Sequence, residues 1–141
     1  MRRSWVCVDA GIVIHTVADP QEGRLKRLWA SWHDAGWTVV APRLLLYEAA
    51  NGLYRLSRAG MLIGIELRDA FAAVAALPVE YRDSLSMHQR ALELAAAYSL
   101  PAAYDAHYLA LAESLGAELW TADQRLWRAV GHALPWVRVV G

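Results

Sequence analysis

Trp5-Val6-Cys7-Val8 decides the fold: it is β-branched or aromatic at most positions, too short for a helix, and followed at once by Asp9. Such a run reads as a strand. Trp37–Ala41, Glu118–Thr121 and Trp136–Val140 repeat the pattern. Between these runs, Gln21–Asp34, Arg43–Arg58, Gly64–Leu77, Ser86–Tyr98, Ala103–Leu115 and Gln124–Val130 carry Leu and Ala at helical spacing. Gly36, Gly60 and Gly116 stand where C-terminal stops belong. Nearly continuous apolar strands joined by helices require a sheet covered on both faces. The expected fold is therefore α/β, a three-layer α/β/α sandwich with a central, mainly parallel sheet. No Gly/Ser linker, low-complexity tract or repeat interrupts residues 1–141, so a single domain is expected.

Composition narrows the function classes. The chain has 141 residues, is 57% hydrophobic and 20% charged, and balances Lys+Arg 14 against Asp+Glu 14. Low hydrophobicity with high net charge marks a disordered chain, and this sequence has neither. The neutral balance also excludes the basic field of a protein that coats nucleic acid without specificity. The longest apolar stretch, Ala70 to Val79, contains Pro78 and falls short of the ~20 residues of a membrane-spanning helix. Arg2 and Arg3 resemble the start of a signal peptide, but Asp9 breaks the apolar run behind them, so a cytoplasmic protein is expected. Cys7 is the sole cysteine, which excludes an intramolecular disulfide and a zinc ribbon; it reads as a small buried hydrophobe.

In an open parallel sheet, ligands bind beyond the carboxyl ends of the strands. Asp9 and Asp123 each follow a predicted strand and so belong on that edge, although either also suits a helix N-cap. Glu48 falls on the stripe of Leu44, Leu45, Gly52 and Leu56, where a carboxylate must be paired, protonated or metal-bound. Asp105 shares a stripe with Leu109 and Ala112 near a helix start, where the helix dipole alone accounts for an acid. If the four converge at about 4 Å, each like-charge pair costs roughly 4 kcal/mol at an effective dielectric near 20. Divalent cations with hard-oxygen preference, Mg²⁺ or Mn²⁺, remove that cost and support phosphodiester hydrolysis.

Four strings occur in order: Val8-Asp9-Ala10; Pro42 to Arg55, containing Glu48 and Asn51; Tyr104-Asp105-Ala-His-Tyr-Leu-Ala-Leu-Ala-Glu113; and Leu119-Trp-Thr-Ala-Asp123-Gln-Arg-Leu126. Together they resemble the PIN-domain ribonucleases, most closely VapC-type toxins of toxin–antitoxin pairs, over essentially the whole chain. The resemblance implies a Mg²⁺- or Mn²⁺-dependent endoribonuclease with metal ligands at Asp9, Glu48, Asp105 and Asp123. It also implies a supporting hydroxyl at Thr121, a polar neighbour of Glu48 at Asn51, an RNA substrate, a cognate antitoxin and a homodimer. One departure stands out. The family usually has Ser or Thr two residues after its first Asp, where this chain has Gly11, so a supporting hydrogen bond is expected to be missing.

Other residues read more plainly. His107 follows Asp105 by two residues and so turns ~200° from it on a helix. No histidine pair has ligand spacing, and no Gly-x-Ser-x-Gly or Gly-x-x-x-x-Gly-Lys string occurs, which leaves acyl-transfer triads and those phosphate cradles without support. Thirteen of the fourteen basic residues are Arg; Arg55, Arg58, Arg125 and Arg128 are candidates for RNA backbone contacts, with solvated helix faces as the ordinary reading. The weakly amphipathic Ile63–Val79 is core or a partner-binding surface. A catalytically silent PIN-like module that binds RNA or protein is the competing function, favoured by Gly11. A phosphotransfer fold ranks last, since no second acid follows Asp9 closely.

Overall fold

A computed structural model describes residues 4–19 and 23–140. The elements in chain order are β1 Trp5–Val8, α1 Ala10–Ala18, α2 Gly23–Asp34, β2 Thr38–Ala41, α3 Leu44–Arg58, α4 Leu67–Ala76, β3 Val79–Tyr81, α5 Leu85–Ala97, α6 Tyr104–Leu115, β4 Glu118–Thr121, α7 Gln124–Val130 and β5 Val137–Val139. The strands form one sheet in the order β3-β2-β1-β4-β5, and every pairing is parallel.

Side chains alternate between the two faces of a strand. Val6, Cys7 and Val8 are nonetheless all 0% exposed, so both faces of β1 are covered and the sandwich has three layers. α1, α3 and α4 pack on one another, while α5 packs on α6, which also touches β1 and β4. Trp32 of α2 is buried and meets Trp29 and Trp120 edge to face, at centroid separations of 5.2 and 6.3 Å. The Trp29 indole N–H donates to the Thr16 hydroxyl at 2.9 Å, which satisfies that ring's polar atom.

The expected strands are present, with Trp37 and Trp136 lying just before β2 and β5. Gly36, Gly60 and Gly116 adopt φ of 74, 69 and 61°, the left-handed stops their positions imply. Two elements were not legible beforehand. α1 is apolar along most of its length, so it lacks the contrast that betrays a helix, and β3 is a three-residue edge strand beside Pro78. The start expected for α2 at Gln21, and Arg2 and Arg3, lie outside the described residues. Within Ile63–Val79 only Ala70 and Val74 of α4 are fully buried in the core, while Ile63 is 75% exposed, so the segment packs one face inward and leaves the rest at the surface. No helix among the described residues is long and apolar enough to cross a membrane.

Candidate active site

The strand order reverses between β1 and β4: from β1 the chain winds outward to β2 and β3, then returns to β4 and β5. A sheet of this kind opens a crevice at its carboxyl edge at that point. Asp9 follows β1 and Asp123 lies just past β4, so both strand-end acids stand there. The register Val8↔Trp120 sets the next residues, Asp9 and Thr121, side by side.

Fully buried Thr121 donates its hydroxyl to Oδ2 of Asp9, and its Oγ1 accepts from the Asp123 backbone N–H at 2.9 Å. One hydroxyl thus ties the two strand-end acids together. Each acid is also a helix cap: Asp9 accepts from Ile12 N–H at 3.2 Å, and Asp123 from the N–H groups of Arg125 and Leu126 at 2.8 and 3.3 Å. Capping and membership of the site are therefore not alternatives.

Glu48 projects from α3, half-buried, beside the fully buried Leu45 that shares its stripe. Its Oε1 accepts from the Tyr108 hydroxyl at 2.5 Å. Tyr108 is 1% exposed and follows Asp105 by one helical turn, so α6 presents both side chains on one face. Sequence reasoning missed Tyr108, and its spacing from Asp105 was the available signal. Asp105 is half-buried and makes no hydrogen bond or ion pair among the described residues.

Asp9, Glu48, Asp105 and Asp123 line one cleft of about 280 Å³, together with Tyr108 and His15. Asp9 is pushed up to about 6, chiefly by burial and further by the charge of Asp105, against the opposing hydrogen bonds from Thr121, Ile12 and Ala122. Asp105 is likewise pushed up to about 6, by burial and by the charges of Asp123 and Glu48. Burial and the Glu48 carboxylate push the Tyr108 phenol upward, so it stays protonated and remains a donor. As the side chains stand, no three His, Cys, Asp or Glu among the described residues are close enough to enclose an ion. Glu48 and Asp123 are drawn onto internal donors, and mutual repulsion favours that arrangement.

Some expected members fall outside. Asn51 follows Glu48 by one helical turn on α3, yet it is exposed and does not line the cleft. Arg55, Arg58, Arg125 and Arg128 are exposed and none lines it. Gly11 does line it, and a Cβ there would lie 2.9 Å from the Ala122 Cβ. The missing hydroxyl at position 11 thus has a steric counterpart across the cleft, and Thr121 orients Asp9 without it.

The sequence profile of the PIN domain matches residues 6–132. The chain belongs to the PIN domain family. Its curated relatives include VapC ribonuclease Mb0985 of Mycobacterium bovis and ribonuclease VapC9 of Mycobacterium tuberculosis, each 39% identical over 121 residues, covering 86% of this chain and 87% of the relative. Solved PIN-like structures agree on the fold. One is a toxin–antitoxin complex from Klebsiella pneumoniae (TM-score 0.65, 17% identity, 94% of each chain) and another is PAE2754 from Pyrobaculum aerophilum (TM-score 0.61, 23% identity, 92% of this chain and 87% of that one). In this PIN domain the acidic cleft sits at the carboxyl edge, where β1 and β4 adjoin.

Proposed function

We propose that this chain is a divalent-metal-dependent endoribonuclease, the toxin of a toxin–antitoxin pair, with Asp9, Glu48, Asp105 and Asp123 as its catalytic and metal-binding residues. The observation that carries the reading is four carboxylates on one cleft, two of them raised to about 6 and one, Asp105, without a hydrogen-bonding partner among the described residues. An all-oxygen, acid-rich donor set fits Mg²⁺ or Mn²⁺. The relatives named ribonucleases over most of their length support RNA as the substrate.

A bound divalent ion lowers the pKa of water and offsets phosphodiester charge. The chain's own residues do the remaining work. Thr121 fixes Asp9 through its hydroxyl and Asp123 through that residue's backbone, while Tyr108 holds Glu48 at the cleft, where its free oxygen is available to orient a water. Asp105 contributes a carboxylate unencumbered by internal hydrogen bonds. A cognate antitoxin, a homodimer and action in the cytoplasm are further parts of the proposal; the first draws on the relatives' names and on the neighbour solved as a toxin–antitoxin complex.

The purified protein should cleave single-stranded RNA with Mg²⁺ or Mn²⁺ and lose that activity in EDTA. Asp9→Asn and Asp105→Asn should each remove it and relieve growth arrest on expression. Variants that cleave RNA and arrest growth as well as the parent would overturn the assignment.

A further inference from the structure

A second concavity, of about 520 Å³, is lined by Tyr47, Tyr104, Leu44, Met87, His88 and His107 and shares no lining residue with the acidic cleft. Its two tyrosines immediately precede two of the cleft's acids, Tyr47 before Glu48 and Tyr104 before Asp105. The same two helices, α3 and α6, therefore supply both the carboxylates and the aromatic rings. Tyr47 is 77% and Tyr104 62% exposed, unlike the strand tryptophans, whose rings are packed against the core.

The lining has polar features suited to a nucleotide. Arg43 stands at the edge of the groove with its side chain 69% exposed, and its Nε lies 3.6 Å from Asp83. His88 Nδ1 and His107 Nε2 are 2.8 Å apart, and His107 Nδ1 donates to the Ala103 carbonyl at 2.7 Å. For neutral rings this chain of bonds makes His107 Nε2 an acceptor and His88 Nδ1 a donor, which leaves His88 Nε2 as an acceptor on an exposed ring. A mainly apolar groove with exposed tyrosine faces, a peripheral guanidinium and one oriented imidazole suits an unpaired base, which offers a π-face and hydrogen-bonding edges.

We propose that this groove is a nucleobase-binding subsite, in which Tyr47 and Tyr104 stack one or more unpaired bases of single-stranded RNA next to the phosphodiester held at the acidic cleft, with the His88–His107 pair meeting a base edge. The inference rests on the endoribonuclease reading. It explains why two large aromatic side chains are left in solvent beside the acids, and it makes the substrate single-stranded, since a paired base has its faces occupied.

The test is fluorescence anisotropy with the full chain carrying Asp105→Asn, in Mg²⁺, using a labelled single-stranded oligoadenylate and an abasic oligomer of equal length. Tyr47→Ala and Tyr104→Ala should each weaken binding of the oligoadenylate by about tenfold or more and leave the weaker abasic binding unchanged. Tyr47→Phe and Tyr104→Phe, which keep the ring, should retain affinity. His88→Ala should narrow the differences among homopolymers of different base more than it lowers overall affinity. Oligoadenylate affinity unchanged in both alanine variants would overturn the subsite while leaving the nuclease reading intact. Dissociation of a dimer by the alanine variants with RNA affinity unchanged would assign the groove to a second copy instead. A parent protein that neither binds nor cleaves RNA would overturn both proposals.

Discussion

Asp105 is the half-buried carboxylate that makes no hydrogen bond among the described residues, and its charge is opposed by Asp123 and Glu48. Its ionisation therefore lowers the stability of the metal-free protein. With a folded pKa near 6 against an ordinary 3.8, the folded state binds more protons between those values, so stability falls as pH rises from about 4 through about 6. Asp105→Asn should raise the melting temperature of the metal-free protein at pH 7.5, and the gain should shrink toward pH 4; a variant melting below the parent at pH 7.5 would contradict this. Tyr108→Phe should fold but release Glu48, lowering RNA cleavage by ~10–100-fold, the usual cost of losing a partner that orients a ligand. At Gly11 the close Ala122 Cβ makes a larger side chain costly: Gly11→Ala should destabilise by ~1–3 kcal/mol, and Ala122→Gly should recover much of that in the double variant. Chemical denaturation of the four proteins measures the coupling.

At the scale of elements, α5 shows how the helices are bounded. Ser84 accepts from the Met87 N–H at 3.1 Å as its N-cap, and the residue after the C-cap, Ser99, sits at φ 53°. A side chain in the left-handed region is strained, whereas glycine occupies it freely. Ser99→Gly should stabilise the protein by ~0.5–1 kcal/mol and Ser84→Ala should destabilise it by ~1 kcal/mol, both without change in RNA cleavage. Urea unfolding and a cleavage assay on the same samples check both parts. The contrast with α7 is instructive: its cap is Asp123, so a substitution there combines loss of a cap with loss of a cleft acid.

Across the whole molecule, the neutral charge balance takes on a sharper meaning. Four of the fourteen acids lie on one cleft, so a divalent ion bound there leaves the rest of the surface on balance basic. The exposed Arg55, Arg58, Arg125 and Arg128 belong to that remainder and stand outside the cleft, suited to phosphates at a distance from the scissile bond. Mg²⁺ or Mn²⁺ should raise the melting temperature of the parent, and much less that of Asp9→Asn. An equal rise in both proteins would place the ion elsewhere.

The sequence by itself determined what short-range forces determine. Brief β-rich runs became β1, β2, β4 and β5, glycines ended three helices at positive φ, and Asp9 and Asp123 had to stand at strand ends because nothing separates them far from their strands. The inward stripe of α3 likewise announced Glu48, since the helical period fixes which residues share a face. β3 and α1 escaped notice because one is too short and the other too evenly apolar to carry a period. Only the tertiary structure decided the strand order β3-β2-β1-β4-β5, which sets Asp9 beside Thr121 and opens the crevice between β1 and β4. It alone brought Tyr108 onto Glu48 across sixty positions of sequence, set Gly11 against Ala122, and paired His88 with His107 beside the tyrosines. Those contacts depend on how helices settle against a shared sheet, a long-range packing outcome that no local pattern of residues encodes.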